Sequence, residues 1–135
     1  MNCKPIIIVA GEPNSIFFEI FFKVIKKKIK SPIILIASEK LILKQAKILK
    51  NKINYNLINE NELIKKKNKL NKINLINVDI EQNKAFDKIS SKSNKYISSC
   101  FEIALRLIKK DISNKLINGP ISKKTFLKNK FNGIT

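Results

Sequence analysis

The 135 residues contain three glycines. Each sits where the chain reads as a turn: Gly11 in "AGEPNS", Gly119 in "NGPISKK" and Gly133 in "NGIT". Glycine lets a backbone come close to a ligand, and Pro13 and Pro120 stiffen the first two turns. A helix is predicted after each of these two, so free N–H groups could face an anion. Lys123 and Lys124 add positive charge beside the second turn. Either turn alone reads as an ordinary strand-to-helix connection. The confinement of all the glycines to these places points to function. Glu12 is the one carboxylate in a strand-end turn; it could meet an amine or a metal, and capping the next helix is the favoured role.

Other chemistries are excluded. Without histidine there is no Ser-His-Asp triad, no Cys-His pair and no imidazole metal site. Neither G-x-x-x-x-G-K nor G-x-G-x-x-G occurs, so a nucleotide P-loop and a Rossmann fingerprint are both missing. The carboxylates are scattered, and no residue is assigned as a metal ligand or as catalytic. Cys3 and Cys100 have no metal-type spacing and fit a reducing compartment. Cys100 falls on the apolar face of a predicted helix, where a core thiol is expected.

The elements that must position the turns follow from hydrophobic pattern. "PIIIVA" (5–10) and "PIILIA" (32–37) are continuous β-branched runs, as in strands covered on both faces of a parallel sheet. "NSIFFEIFFKVIKKKIK" between them reads as a helix, with Asn14 or Ser15 as N-cap and lysines at its end. Ser38 can cap a second helix in which Ile42, Ala46 and Leu49 share a face. "INYNLIN" (53–59) alternates as a third strand would, 60–72 reads as a connection or surface helix, and 73–80 as a strand. From Ser93 the clearest helix runs to Asp111, with Ile97, Cys100, Phe101, Ala104 and Ile108 at core spacing and Lys109 and Lys110 exposed. "KLING" (115–119) then delivers the second turn. The sum is an α/β fold with a mostly parallel sheet and flanking helices, organised as one domain over 1–135. Parallel strands present their carboxyl ends to one edge, so Gly11–Ser15 and Gly119–Lys123 should lie side by side there, with Thr135 near them.

The net charge of +18 raises the prospect of nucleic acid or an anionic membrane. Arg106 is the only arginine among 28 basic residues, and arginine supplies the bidentate forks that read bases and grip phosphate. Lysine, isoleucine and asparagine are inflated together throughout, the mark of codon bias rather than of a specific nucleic-acid surface. No apolar run approaches the roughly 20 residues of a membrane span, and no signal-peptide cleavage site follows Pro5–Ala10; the expected setting is the cytoplasm.

The order and spacing of three segments resemble 4-hydroxythreonine-4-phosphate dehydrogenase, the NAD-dependent enzyme of pyridoxal 5'-phosphate biosynthesis. The family's G-[D/E]-P-x-G-I-G-P-E reads here Gly11-Glu12-Pro13-Asn14-Ser15-Ile16-Phe17-Phe18-Glu19. Its T-G-P-[I/V]-x-K reads Asn118-Gly119-Pro120-Ile121-Ser122-Lys123, and its F-x-G-H-T-E reads Phe131-Asn132-Gly133-Ile134-Thr135. The resemblance covers the whole chain, corresponds to the N-terminal part of the family's proteins, and implies their isocitrate/isopropylmalate dehydrogenase-like architecture. It implies substrate contacts at Thr135, at Ile134 where the family has histidine, and at Lys123 and Gly119. It also implies NAD or NADP, a divalent metal such as Zn, Mg or Co, a phosphorylated small-molecule substrate and a homodimer at full length. Ser15 and Phe17 replace family glycines, and the family's three metal-binding histidines belong to its C-terminal part. The chain would therefore be inactive alone. The alternatives are a basic, non-catalytic binding module on the same scaffold, and a truncated gene product.

Overall fold

The computed structural model describes residues 4–65, 70–122 and 126. Five parallel strands form one sheet in the order β3-β4-β2-β1-β5. These are β1 (Ile6–Val9), β2 (Ile33–Ala37), β3 (Asn56–Leu57), β4 (Ile73–Asn77) and β5 (Lys115–Asn118). The helices are α1 (Phe17–Val24), α2 (Glu39–Ile48), α3 (Glu60–Ile64) and α4 (Asn94–Lys109), the last preceded by a short 3-10 turn, Ser91–Ser93. The expected α/β architecture is present, with segments 5–10, 32–37 and 115–119 in the same sheet.

Central strand β2 is buried at every position, as its unbroken apolar run demands. Side chains from alternate positions feed two cores. One joins Phe18, Phe21 and Phe22 of α1 and Ile42 and Ala46 of α2 to Ile33, Leu35, Ile73 and Leu75. The other joins Tyr96, Ile97, Cys100, Ala104 and Leu107 of α4 and Leu63 of α3 to Ile7, Val9, Ile34, Ile36 and Ile76. Thus α1 and α2 cover one face, and α3 and α4 the other. Right-handed crossovers require this: the chain moves outward from β1 to β3, then reverses to reach β4 and β5.

Local details depart from the sequence reading. Helix α1 stops at Val24, well before Lys30, and the chain beyond it still packs Ile25 and Ile29 on the same core. Its start is held by Ser15, whose Oγ accepts from Phe17 N at 3.2 Å, while Asn14 points elsewhere. Strand β3 is two residues long rather than the full 53–59. β4 ends at Asn77. In α4, Phe101 and Ile108 are half-buried rather than buried. The inward stripe is Ile97, Cys100, Ala104 and Leu107, and Phe101 flanks it against Phe126, ring centroids 6.5 Å apart. Lys109 and Lys110 are exposed as expected. Ser38 caps α2 by accepting from Leu41 N at 3.2 Å.

Candidate functional site at the carboxyl ends of the strands

β1 and β5 are neighbours in register, Val9 opposite Asn118, so the turns that follow them meet. Gly119 N donates to Val9 O at 2.7 Å, and Glu12 N donates to Pro120 O at 2.7 Å. These bonds carry the sheet ladder into the two turns and fuse them into one rim. Gly11 adopts φ +76°, and a Cβ there would stand 2.5 Å from Pro120 O. A Cβ on Gly119 would stand 2.1 Å from Ala10 O and 2.7 Å from Phe17 Cδ1. Each glycine is therefore required by the other turn. The space that glycine frees is filled by backbone, which corrects the expectation that it is held open for a ligand.

The chain withholds glycine elsewhere. Lys50 and Asp111 occupy left-handed positions, φ 54° and 60°, just past α2 and α4, where glycine is the common residue. Both helices close with the paired bonds of that motif: Asn51 N to Ala46 O and Lys50 N to Lys47 O, then Ile112 N to Leu107 O and Asp111 N to Ile108 O. A sequence that accepts lysine and aspartate at such positions keeps Gly11 and Gly119 where a side chain cannot fit.

Glu12 is 3% exposed. Its carboxylate accepts from Asn14 N at 3.2 Å, and its carbonyl accepts from Ser15 Oγ at 2.8 Å. Glu12 thus braces its own turn instead of capping α1. Burial pushes its carboxyl pKa up, partly offset by the Asn14 hydrogen bonds. Asn14 reaches across to the 78–90 loop, exchanging amide bonds with Gln82 at 3.1 and 2.8 Å and accepting from Asp87 N at 2.8 Å. Fully buried Gln45 of α2 donates to Pro13 O at 2.8 Å and Ala85 O at 2.7 Å. The loop after β4 is thereby tied to the turn after β1. Sequence reasoning missed Asn14, Gln45 and Gln82 as a unit, because in a chain this rich in asparagine and polar amides nothing local marks the ones that meet.

Tyr96 is also buried; its hydroxyl accepts from Ser38 N at 2.9 Å. Burial raises its pKa well above the ordinary tyrosine range. Cys100, one turn along α4, is pushed up to about 12 by burial, so it is a core thiol and not a nucleophile.

Of the substrate-binding candidates, Gly119 lies in the fused rim. Lys123, Ile134 and Thr135 lie outside the described residues, as does Gly133. Among the described residues, no group of three or more His, Cys, Asp or Glu could hold a metal ion. The histidines that the resemblance implies as metal ligands belong to the family's C-terminal part, and this chain covers 42% of the length of the solved structures it matches. Among the described residues, no helix is long and apolar enough to cross a membrane.

A family model described as pyridoxal phosphate biosynthetic protein PdxA matches residues 28–135. Among solved structures, a putative 4-hydroxythreonine-4-phosphate dehydrogenase from Salmonella typhimurium superposes with a TM-score of 0.77 at 16% identity, covering 98% of this chain and 42% of that one. A 4-hydroxythreonine-4-phosphate dehydrogenase from Klebsiella pneumoniae gives 0.76 at 14% identity, with 98% and 42% covered. That from Burkholderia phymatum gives 0.75 at 14%, with 99% and 42% covered. At such identities the likeness establishes the fold, and the chain spans about two fifths of the length of these structures. No curated protein sequence matches it.

Proposed function

The chain belongs to the PdxA family of pyridoxal phosphate biosynthetic proteins, and from that premise we propose that it forms one α/β domain of a 4-hydroxythreonine-4-phosphate dehydrogenase-type enzyme. The reaction in this reading is oxidation of the secondary alcohol of 4-phosphooxy-threonine with NAD or NADP, followed by loss of carbon dioxide. A homodimer and a cytoplasmic setting belong to the same proposal.

The observation that supports it best is the fused rim. The chain leaving β1 enters α1 on one face of the sheet, while Phe126, beyond β5, packs with Phe101 of α4 on the other. Adjacent strands whose connections diverge to opposite faces open a crevice at their carboxyl ends, the usual ligand position in open α/β sheets. The motif-bearing segments Gly11–Ser15 and Asn118–Ser122 stand at the position where that rule expects a crevice. In the proposed roles, Gly119 and Pro120 present backbone at its floor, Lys123 supplies charge for the substrate's phosphate, and Thr135 offers a hydroxyl. Ile134 replaces an imidazole with an apolar side chain, so one polar contact to substrate is absent. A divalent metal would polarise the substrate oxygen in such a reaction, and the histidines implied for it belong to the family's C-terminal part.

The test is to titrate the purified chain with 4-phosphooxy-threonine, with Lys123→Gln and Thr135→Ala as variants, and to assay NADH production in parallel with added magnesium. Saturable binding weakened by either variant, with no NADH formed, is the expected result. An absence of binding would overturn the substrate assignment. NADH formed above a metal-free control would overturn the inactivity of the chain alone.

A further inference from the structure

Strand β5 is an edge of the sheet: β1 lies on one side of it and, among the described residues, no strand lies on the other. Gly119 N bonds to Val9 O on the β1 side, and backbone groups alternate in direction along a strand. The N–H and C=O groups of Leu116 and Asn118 therefore point outward. Sheet edges are usually blunted by short length, charge, proline or a bulge. The opposite edge, β3, is two residues long. β5 pairs through four successive residues without a bulge, and its one charge is Lys115, at its start.

An apolar surface lies beside this open ladder. Ile117 is in register with Ile8, which packs against the core under α1 and α2, so Ile117 stands on the face that α1 covers. α1 meets β5 at its first residue, where Phe17 Cδ1 is 2.7 Å from the place a Cβ on Gly119 would take. Ile20 and Val24 follow Phe17 at i+3 and i+7 and share its side of the helix. They lie about 4.5 and 10.5 Å further along α1 at 1.5 Å per residue. Ile117 lies about 6.6 Å back along β5 from Gly119, level with them. Ile20, Val24 and Ile117 are 50%, 44% and 53% exposed. Phe126, beyond β5, packs with Phe101 on the opposite face and leaves this shelf uncovered.

The two segments that build the shelf carry one sign of charge. Residues 20–30 hold five lysines and residues 112–135 five more, with no carboxylate in either stretch. Apart from Glu12 and Glu19, every carboxylate lies between Glu39 and Asp111. Lys115 shares the Ile117 face of β5, and Lys23 lies one turn from Ile20; both are exposed. A second copy would set lysine against lysine across this edge, which like-charge repulsion opposes. A segment bearing carboxylates would meet opposite charge.

We propose that the β5 edge docks an extended segment of an acidic polypeptide. The segment adds as a further strand on Leu116 and Asn118, lays alternate apolar side chains against Ile20, Val24 and Ile117, and sets carboxylates near Lys23 and Lys115. The site follows from the strand order and does not depend on the dehydrogenase reading.

The experiment is amide hydrogen exchange by NMR on the purified chain, with a synthetic peptide of about ten residues alternating valine and glutamate as the probe. An alternating valine–lysine peptide and a single-stranded oligonucleotide are the comparisons. The valine–glutamate peptide should bind saturably and slow exchange at the Leu116 and Asn118 amides about tenfold or more. Asn118→Pro removes one outward donor and spares the β1 ladder, since proline is tolerated where an edge N–H faces out. It should weaken binding about fivefold, the scale of one hydrogen bond. Ile117→Ser, at an exposed position, should weaken it about tenfold through lost apolar contact. No added protection at the two amides, equal protection by the lysine peptide or the oligonucleotide, or indifference to both variants would overturn the proposal. Sedimentation showing a dimer of the chain that Ile117→Ser dissolves would assign the edge to a second copy and also overturn it.

Discussion

At the residue scale, the two glycines of the rim can be separated from the chain's other left-handed positions by substitution. Gly11→Ala imposes a left-handed backbone on a residue with a Cβ and drives that Cβ to 2.5 Å from Pro120 O. Strain at such a position costs roughly 1–3 kcal/mol before the clash is counted. Gly119→Ala meets backbone at 2.1 Å and should be worse. Lys50→Gly, at φ 54°, relieves strain of the same kind and should stabilise by roughly 0.5–1 kcal/mol. Urea unfolding of the three variants checks the contrast. The positions of Gly11 and Gly119 were legible in the sequence; their reason was not, because it is a contact between turns 108 residues apart, and no local pattern encodes it.

Glu12 gives a second residue-scale expectation. Its folded pKa is raised above the ordinary 4.5 by burial. Between the unfolded and folded values the native state therefore binds the extra proton, so this group lowers stability as pH rises through that window. Below 4.5 both states are protonated and the penalty vanishes. Glu12→Gln keeps an acceptor for Asn14 N and removes the charge. The variant should exceed the parent in stability at neutral pH, with the gap closing as pH falls toward 4. An unchanging gap across that range would show that Glu12 ionises freely in the folded protein.

At the element scale, helices α1, α2 and α4 and strand β3 were readable as elements, and the extents of α1 and β3 were not. Ser38 before an apolar-periodic run marks α2 correctly, and Ser38→Ala should cost about 0.5–2 kcal/mol through loss of the cap to Leu41 N. The α4 period was recognised, but its inward direction was set too far toward Phe101 and Ile108. Two apolar stripes run along that helix, and only the sheet decides which one points inward. Leu107→Ala, at 0% exposure, should lose about 2–5 kcal/mol, and Ile108→Ala distinctly less. Thermal unfolding that ranks them the other way would contradict the observed orientation. The end of α1 at Val24 and the two-residue length of β3 are not contained in the sequence periodicity, which continues past both.

At the scale of the whole molecule, the parallel sheet and the meeting of both glycine turns on one edge were legible from two apolar runs and the right-handed crossover rule. The strand order was not, because a reversal at β3 leaves no mark in the sequence. The charge of +18 includes a single arginine, Arg106, and its guanidinium is paired with Glu60 at 2.7 Å. Binding to duplex DNA should accordingly be sequence-independent and should collapse between low and physiological salt. Sequence-selective binding that survives physiological salt would revive the basic-module reading.

The most direct test of the central claim uses the scarcity of glycine. The three glycines, Gly11, Gly119 and Gly133, give three amide resonances in an uncluttered region of a nitrogen–proton correlation spectrum. The measurement is titration with 4-phosphooxy-threonine. If the fused turns border the substrate site, Gly119 and Gly133 shift together along one saturable curve, and Gly11 follows through its contact with Pro120. If the three glycine resonances stay still while the ligand perturbs other residues, or nothing moves, the rim is only a structural joint between β1 and β5.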